Sequence, residues 1–172
     1  ELAREHYQKA VQLDPGLATA WSGIADLLLA EGASELALEN YHKALVLNPK
    51  NPIYMNNMAI CQLNLGRHHE ALALYRDLVV LNPDMGPLHN NMGQVLQGLG
   101  RHDEAVEAFR RALELDQSMD NLAPFLMQSM MYQCAWDDLA DLKGRVMNET
   151  KRRLRDGLPI TVQPFSLAGT DA

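Results

Sequence analysis

Along the chain the apolar positions fall in short stripes of helical period, and the stripes come in pairs. Trp21, Ile24, Ala25 and Leu28 stand at i, i+3, i+4 and i+7, which puts them on one face of a helix. Gly32 can take the left-handed conformation that ends such a helix. Ser34 and Glu35 suit the start of the next one, because a hydroxyl accepts from free N–H groups and a carboxylate suits the positive end of the helix dipole. The pattern predicts helices over 17–32 and 34–47, and again over 52–65 and 68–81, with Gly66 inside the second pair and Pro83 behind it.

The pairs recur at a fixed spacing of 34 residues: Ala37, Ala71 and Ala105; Tyr41, Tyr75 and Phe109; Gly32, Gly66 and Gly100; Pro49 and Pro83. Residues 2–13 read as the second helix of a pair, since Ala3, Tyr7, Ala10 and Pro15 match Ala37, Tyr41, Ala44 and Pro49. Such a helix bares an apolar face that a preceding helix would cover, so the array is expected to extend upstream and its left edge to be adhesive. The expected organisation is a partial repeat at 1–16, repeats at 17–51, 52–85 and 86–119, a degenerate repeat with a capping helix at 120–157, and an extended tail or linker at 158–172. In the degenerate unit, 122–132 is a first-type helix with Leu126, Met127 and Met130 on one stripe. Residues 137–156 then form one long helix, with Leu139, Leu142 and Val146 facing inward and the basic run from Lys151 to Arg155 at its negative end. That run complements the dipole, or else docks to an acidic neighbour. Gly157 and Pro159 stop the helix.

A large residue, then small, aromatic and small residues at set places, closed by proline, are supplied by Trp21, Ile24, Ala25, Leu28, Ala37, Tyr41, Ala44 and Pro49. In this the chain resembles the tetratricopeptide repeat family. The resemblance implies an all-α fold: a right-handed superhelical solenoid with a long C-terminal capping helix. Small residues would sit where helices approach closely, Ala25, Ala59 and Gly93 opposing Ala37, Ala71 and Ala105. First helices would line a concave groove, presenting Ser22, Gly23, Asp26 and Leu29, then Ile53, Asn56, Asn57, Ile60 and Asn64, then Asn90, Asn91, Gln94 and Gln97, and last Phe125, Gln128 and Tyr132. The centre of that groove is rich in amides.

An amide offers an acceptor and two donors, so Asn57 and Asn91 are suited to grip successive peptide units of an extended chain. Asn56, Asn90 and Gln94 would support them, and Asp26, Asn64 and Gln128 would extend the peptide-binding row. Each bond adds only ~0.5–1.5 kcal/mol net, so affinity would be modest, tolerant of sequence and rising with length. The alternative is a solvated polar face that holds nothing.

Asn57-Met58-Ala59 and Asn91-Met92-Gly93, with Cys134, Trp136 and Asp138 and then the stretch from Gly157 through Gln163 to Leu167, are similar to the asparagine ladder and the repeat-to-catalytic junction of the O-linked N-acetylglucosamine transferase family, in its bacterial version. That resemblance implies a parent that moves a sugar from a UDP-sugar to protein side chains, with the repeats recruiting the polypeptide. The catalytic lobes are not in this sequence, so the chain alone is expected to transfer nothing. A free-standing adaptor that docks a partner's helix or tail, or that self-associates through residues 2–13, is the other reading.

Composition narrows the partners. The chain has 172 residues, 47% hydrophobic, with 22 acidic against 15 basic residues and a net charge of −7, which argues against tracking nucleic-acid phosphates. No apolar run is long enough to span a bilayer and no signal peptide is evident, so a cytoplasmic setting without membrane contact is expected. Cys61 and Cys134 fit no metal or redox spacing and read as small buried hydrophobes. His68, His69 and His102 fall in the turns between the paired helices and read as exposed surface or helix-start residues, His89 takes a core-stripe place and His42 a surface place, and Met55, Met58, Met92, Met127, Met130 and Met131 read as core filler. No catalytic constellation, metal site or cofactor site is expected.

Overall fold

The structure, a computed structural model, describes residues 2–116, 123–132 and 136–157; at some positions of the last two helices, among them Leu139, Leu142 and Val146, it describes the backbone alone. The inward stripe assigned to those three side chains, Cys134, and the tail at 158–172 therefore lie outside the described residues. Within them are nine α-helices and no strand: α1 (Leu2–Leu13), α2 (Ala18–Ala30), α3 (Ser34–Leu47), α4 (Pro52–Asn64), α5 (His68–Leu81), α6 (Gly86–Gly98), α7 (His102–Leu115), α8 (Ala123–Tyr132) and α9 (Trp136–Arg155). They form two compact units, Glu1–Pro83 with α1 to α5 and Asp84–Ala172 with α6 to α9.

The helix stops follow from local chemistry. Gly32 sits at φ +79, where its N–H donates to the Leu29 carbonyl at 3.0 Å and the next N–H, of Ala33, reaches back to Leu28 at 2.9 Å. These two bonds make the Schellman motif, which satisfies the last carbonyls of α2 and needs a residue that tolerates positive φ. The same pair of bonds recurs at Gly66 and Gly100. At the head of α4 the side chain of Asn51 accepts from the N–H groups of Ile53 at 3.0 Å and Tyr54 at 3.3 Å. Pro52, the first residue of that helix, has no N–H to leave unpaired. The cap expected from Ser34 is corrected: Ala33 is the capping residue of α3, without a side-chain bond, and Ser34 lies one position inside the helix, 5% exposed.

Each unit closes around an aromatic side chain. In the first, Tyr41 of α3 is fully buried among Ala25, Ala37, Ala44, Tyr54, Met58 and Cys61, so α2, α3 and α4 share one cluster. Tyr75 and Leu78 of α5 are also buried, at 1% and 0% exposure. In the second unit Phe109 of α7 is fully buried, its ring centroid 6.2 Å from that of Phe125 on α8. A Cβ added at Gly93 would stand 2.7 Å from the Phe109 ring, so the glycine makes room for the aromatic side chain rather than only for the alanine opposite. Leu126, Met127 and Met130 bury the predicted stripe of α8. Removing a buried aromatic of this kind typically costs about 3–5 kcal/mol, which makes these rings the main fasteners between consecutive helices.

One further expectation changes: Met131 is 42% exposed and is not core filler. His68 and His102 are the first residues of α5 and α7, one of the two places read for them, and are half-buried; each has a buried Nδ1 that has no hydrogen-bond partner, and the His102 ring stacks on Tyr132 with centroids 4.2 Å apart. His89 is buried and His42 exposed, as their places imply. No helix among the described residues is long and apolar enough to cross a membrane.

Candidate functional site

In the first unit α2 and α4 lie side by side, and the side chains between them are polar. The carboxylate oxygen Oδ1 of Asp26 accepts from the Tyr41 hydroxyl and also from Asn57 Nδ2 at 3.1 Å. Asn57 Nδ2 also donates to the Tyr41 oxygen at 3.1 Å, and Asn57 Oδ1 accepts from Asn56 Nδ2 at 3.3 Å. Burial pushes the pKa of the Tyr41 hydroxyl far above the ordinary tyrosine value, and the Asp26 carboxylate that it bonds adds to the rise. Beneath the network the Cys61 thiol is pushed up from 9.0 to about 11, chiefly by burial.

This corrects the picture of Asn57 as a free clamp. Both hydrogens of its amide serve acceptors of its own chain, because a buried phenol and a fixed carboxylate stand within reach. What these bonds leave unused is one lone pair on Oδ1, since an amide oxygen has two and Asn56 takes one. Asn64, two turns further along α4, is exposed, and its Nδ2 donates to Ser34 Oγ at 3.3 Å. On α4 the residues Ile53, Asn57, Ile60 and Asn64 follow helical spacing and share a face, and Ile53 is 65% exposed there. Gly23, expected on the same side of α2, is instead buried under the Tyr7 ring of α1, and Ser22 is 8% exposed.

In the second unit Asn90 is 8% exposed, so its place is interior rather than on an open face; it accepts from Gln94 Nε2 at 3.1 Å. Asn91 is half-buried, and Gln94 and Gln128 are exposed. The residue that joins α6 to α8 is Gln97, whose Nε2 lies 3.0 Å from Ser129 Oγ, 3.1 Å from the Phe125 carbonyl and 3.3 Å from Gln128 Oε1. Two hydrogens serve three acceptors, and the fully buried Ser129 hydroxyl is satisfied by them.

The structure thus gathers Asp26, Asn56 and Asn57 into one network, pairs Asn90 with Gln94 and Gln128 with Gln97, and sets Asn64 apart. Tyr41, Ser34, Gln97 and Ser129 take parts in these contacts that their sequence places did not assign. One signal was readable: the residue sixteen places after Tyr41 is Asn57, whereas the one at the same spacing after Phe109 is Phe125. After Tyr41 and Tyr75, rings with a hydroxyl, the spacing gives the amides Asn57 and Asn91; after Tyr7 it gives Gly23, and after Phe109, a ring without a hydroxyl, another ring.

Among the described residues no group of three His, Cys, Asp or Glu side chains is placed to hold a metal ion. An open cleft of ≈ 460 Å³ lies elsewhere in the first unit, lined by Gln8, Val11, Gln12, Trp21, Ile24 and Asn40.

Sequence profiles described as tetratricopeptide repeat match residues 1–52 and 23–89, and another matches 87–119. Among curated proteins none matches the sequence at a significant level. Solved structures are similar at low identity. A crystal structure of MamA protein superposes with a TM-score of 0.82 at 15% identity, over 94% of this chain and 87% of that one. MamA from Desulfovibrio magneticus RS-1, from its residue 41 to the end, gives 0.77 at 16% identity, over 84% and 82%. YrrB, described as a tetratricopeptide protein with an unusual peptide-binding site, gives 0.74 at 21% identity, over 84% and 75%. At such identities the likeness shows the fold, which is all-α and of the tetratricopeptide type.

Proposed function

This chain belongs to the tetratricopeptide repeat family, and we propose that it is a protein-interaction module that holds an extended polypeptide against the exposed sides of its first-type helices. The observation that carries this reading is the make-up of those sides. On α4 an exposed Ile53 is followed at helical spacing by Asn57, Ile60 and Asn64, and on α2 Asp26 stands exposed beside them. Apolar contacts interleaved with amides suit a chain that offers both side chains and backbone groups. YrrB, of the same fold, has a peptide-binding site by its own description.

The clamp takes a more modest form than a free amide would give. In the first unit Asn57 offers its Oδ1 to a peptide N–H, and Asn56 and Asn64 supply further polar contacts; in the second unit, taken by itself, Asn91, Gln94 and Gln128 offer amides of the same kind, while Asn90 lies inside. Affinity then rises with the number of contacts, each worth ~0.5–1.5 kcal/mol.

The test compares two exposed aliphatic residues of the first unit. Ile53 lies on a first-type helix at 65% exposure, and Val80 on the second-type helix α5 at 80%. An uncharged Ser/Thr/Val-rich peptide, followed by fluorescence anisotropy, is expected to lose affinity about tenfold on Ile53→Asp and none on Val80→Asp. The opposite pattern would move the site to the second-type helices and end this reading.

A finer version makes the module the recruiting arm of a glycosyltransferase. Its support is the junction motif: Trp136 opens α9 and Asp138 pairs with Arg110 at 2.5 Å, while Cys134 and residues 158–172 lie outside the described residues. A reading frame that continues past Ala172 into a nucleotide-sugar fold would support that version, and a stop codon there would support a free-standing adaptor. Self-association is the reading favoured by α1, which has no buried residue and exposes Leu2 at 69% and Leu13 at 79%. Light scattering over a concentration series separates it, because a strictly monomeric mass at high concentration leaves α1 without that role.

A further inference from the structure

The first-type helices of this chain are almost devoid of charge. α2, α4 and α6 have 13 residues each and α8 has 10, and in all four the only Asp, Glu, Lys or Arg is Asp26. The 15 basic residues and the other acidic residues among the chain's 22 stand elsewhere. At the positions 34 residues apart that correspond to Asp26, the chain has Ile60, Gln94 and Gln128, so the fold does not require a carboxylate there.

Asp26 is also aimed. Its Oδ1 is held by the Tyr41 hydroxyl and by Asn57 Nδ2, two donors from two neighbouring helices, which fixes the carboxylate plane. No Lys, Arg or His of the described residues pairs with it, and Oδ2 accepts from none of them. The residue is exposed, and its neighbourhood on α4 is amide and aliphatic. A lone charge, pre-oriented beside apolar side chains and on a chain of net charge −7, attracts a cation more strongly than a freely rotating surface carboxylate would.

We propose that Asp26 sets the specificity of this surface: its open carboxylate oxygen receives the lysine or arginine side chain of the bound extended polypeptide. The inference rests on the peptide-binding reading above and adds to it the class of partner. The amides tolerate any sequence, and the single carboxylate selects a basic residue at one place in it.

The experiment uses one Ser/Thr/Val-rich peptide in two forms, with a central lysine and with acetyl-lysine in its place, titrated by fluorescence anisotropy against the wild-type chain and Asp26→Asn. Asparagine keeps an acceptor for the Tyr41 hydroxyl, and circular dichroism verifies that the variant folds. The wild type is expected to prefer lysine by about three- to tenfold, a preference that shrinks with added salt and disappears in Asp26→Asn through loss of lysine affinity alone. Equal binding of both peptides by the wild type overturns the inference and leaves the peptide reading standing. A lysine preference that survives in Asp26→Asn overturns the assignment to this residue. Failure of both peptides to bind the wild type ends both readings. If the variant does not fold, the wild-type comparison at low and high salt still decides whether a cation is selected.

Discussion

Asn57 of α4 donates a 3.1 Å hydrogen bond to the hydroxyl of Tyr41 on α3, and both turn to the same oxygen of Asp26 on α2. Three consecutive helices are thereby joined by polar bonds at the rim of an apolar cluster. The tyrosine ring is in the core, and its hydroxyl is where the core meets the surface.

The triangle is expected to be worth more as a unit than as separate bonds. Asp26→Ala leaves the buried phenol proton without its carboxylate and should destabilise by about 1–3 kcal/mol in urea denaturation. In a Tyr41→Phe background the same substitution should cost less than half as much, because no hydroxyl is left to satisfy. Additive costs would mean that the hydroxyl and the carboxylate do not depend on one another.

Two glycines predict different penalties for the same added methyl group. At Gly93 a Cβ would meet the fully buried Phe109 ring at 2.7 Å, so Gly93→Ala should overpack by about 1–3 kcal/mol. At Gly23 the Cβ would meet Tyr7 at 2.5 Å, but Tyr7 is 38% exposed and can swing outward, so Gly23→Ala should cost less. Thermal unfolding midpoints of the two variants give the order directly.

Removing the Gln97 amide should loosen α8. Gln97→Leu leaves the fully buried Ser129 hydroxyl without its donor, at an expected cost of about 1–3 kcal/mol. Amide hydrogen exchange should rise in α8 and stay unchanged in α2 to α4. Adding Ser129→Ala should recover part of the loss, since the group left unsatisfied is then gone.

At high pH the first unit should weaken. Tyr41 and Cys61 both hold their protons more tightly in the folded state than in the unfolded chain, so the unfolded state releases protons first as pH rises. Stability is therefore fully present below pH 9.0, the ordinary thiol value, and for the Cys61 part is lost between there and about 11. The Tyr41 loss begins above 10.0 and continues beyond that range. Urea midpoints measured against pH should flatten in Cys61→Ala over the thiol window.

The repeat was legible because it rests on local signals. Gly32 marks a helix end wherever positive φ is needed, Pro52 marks a helix start, and Tyr41, Tyr75 and Phe109 mark the buried face by their spacing. The candidate site was legible only in part. Asp26, Asn57, Asn64 and Gln94 could be assigned to the side of each helix away from its core stripe. Which of them faces water could not, since Asn57 reads identically whether its amide is free or bonded to Tyr41. Ser34 looked like a cap for the same reason: a helix-start hydroxyl and a hydroxyl that meets Asn64 from the neighbouring helix have one sequence signature.

By itself the sequence determined the helices, their stops, the all-α repeat and the near-absence of charge on the first-type helices, because each of these depends on residues a few places apart or on a fixed period. Only the tertiary structure decided that Asn57 is bound to Tyr41, that Asn90 lies inside, that Gly93 makes room for Phe109, and that Asp26 keeps one oxygen open. Those outcomes depend on distances between helices, and a side chain with several donors and acceptors is assigned its partner by whichever group the packing brings within about 3 Å.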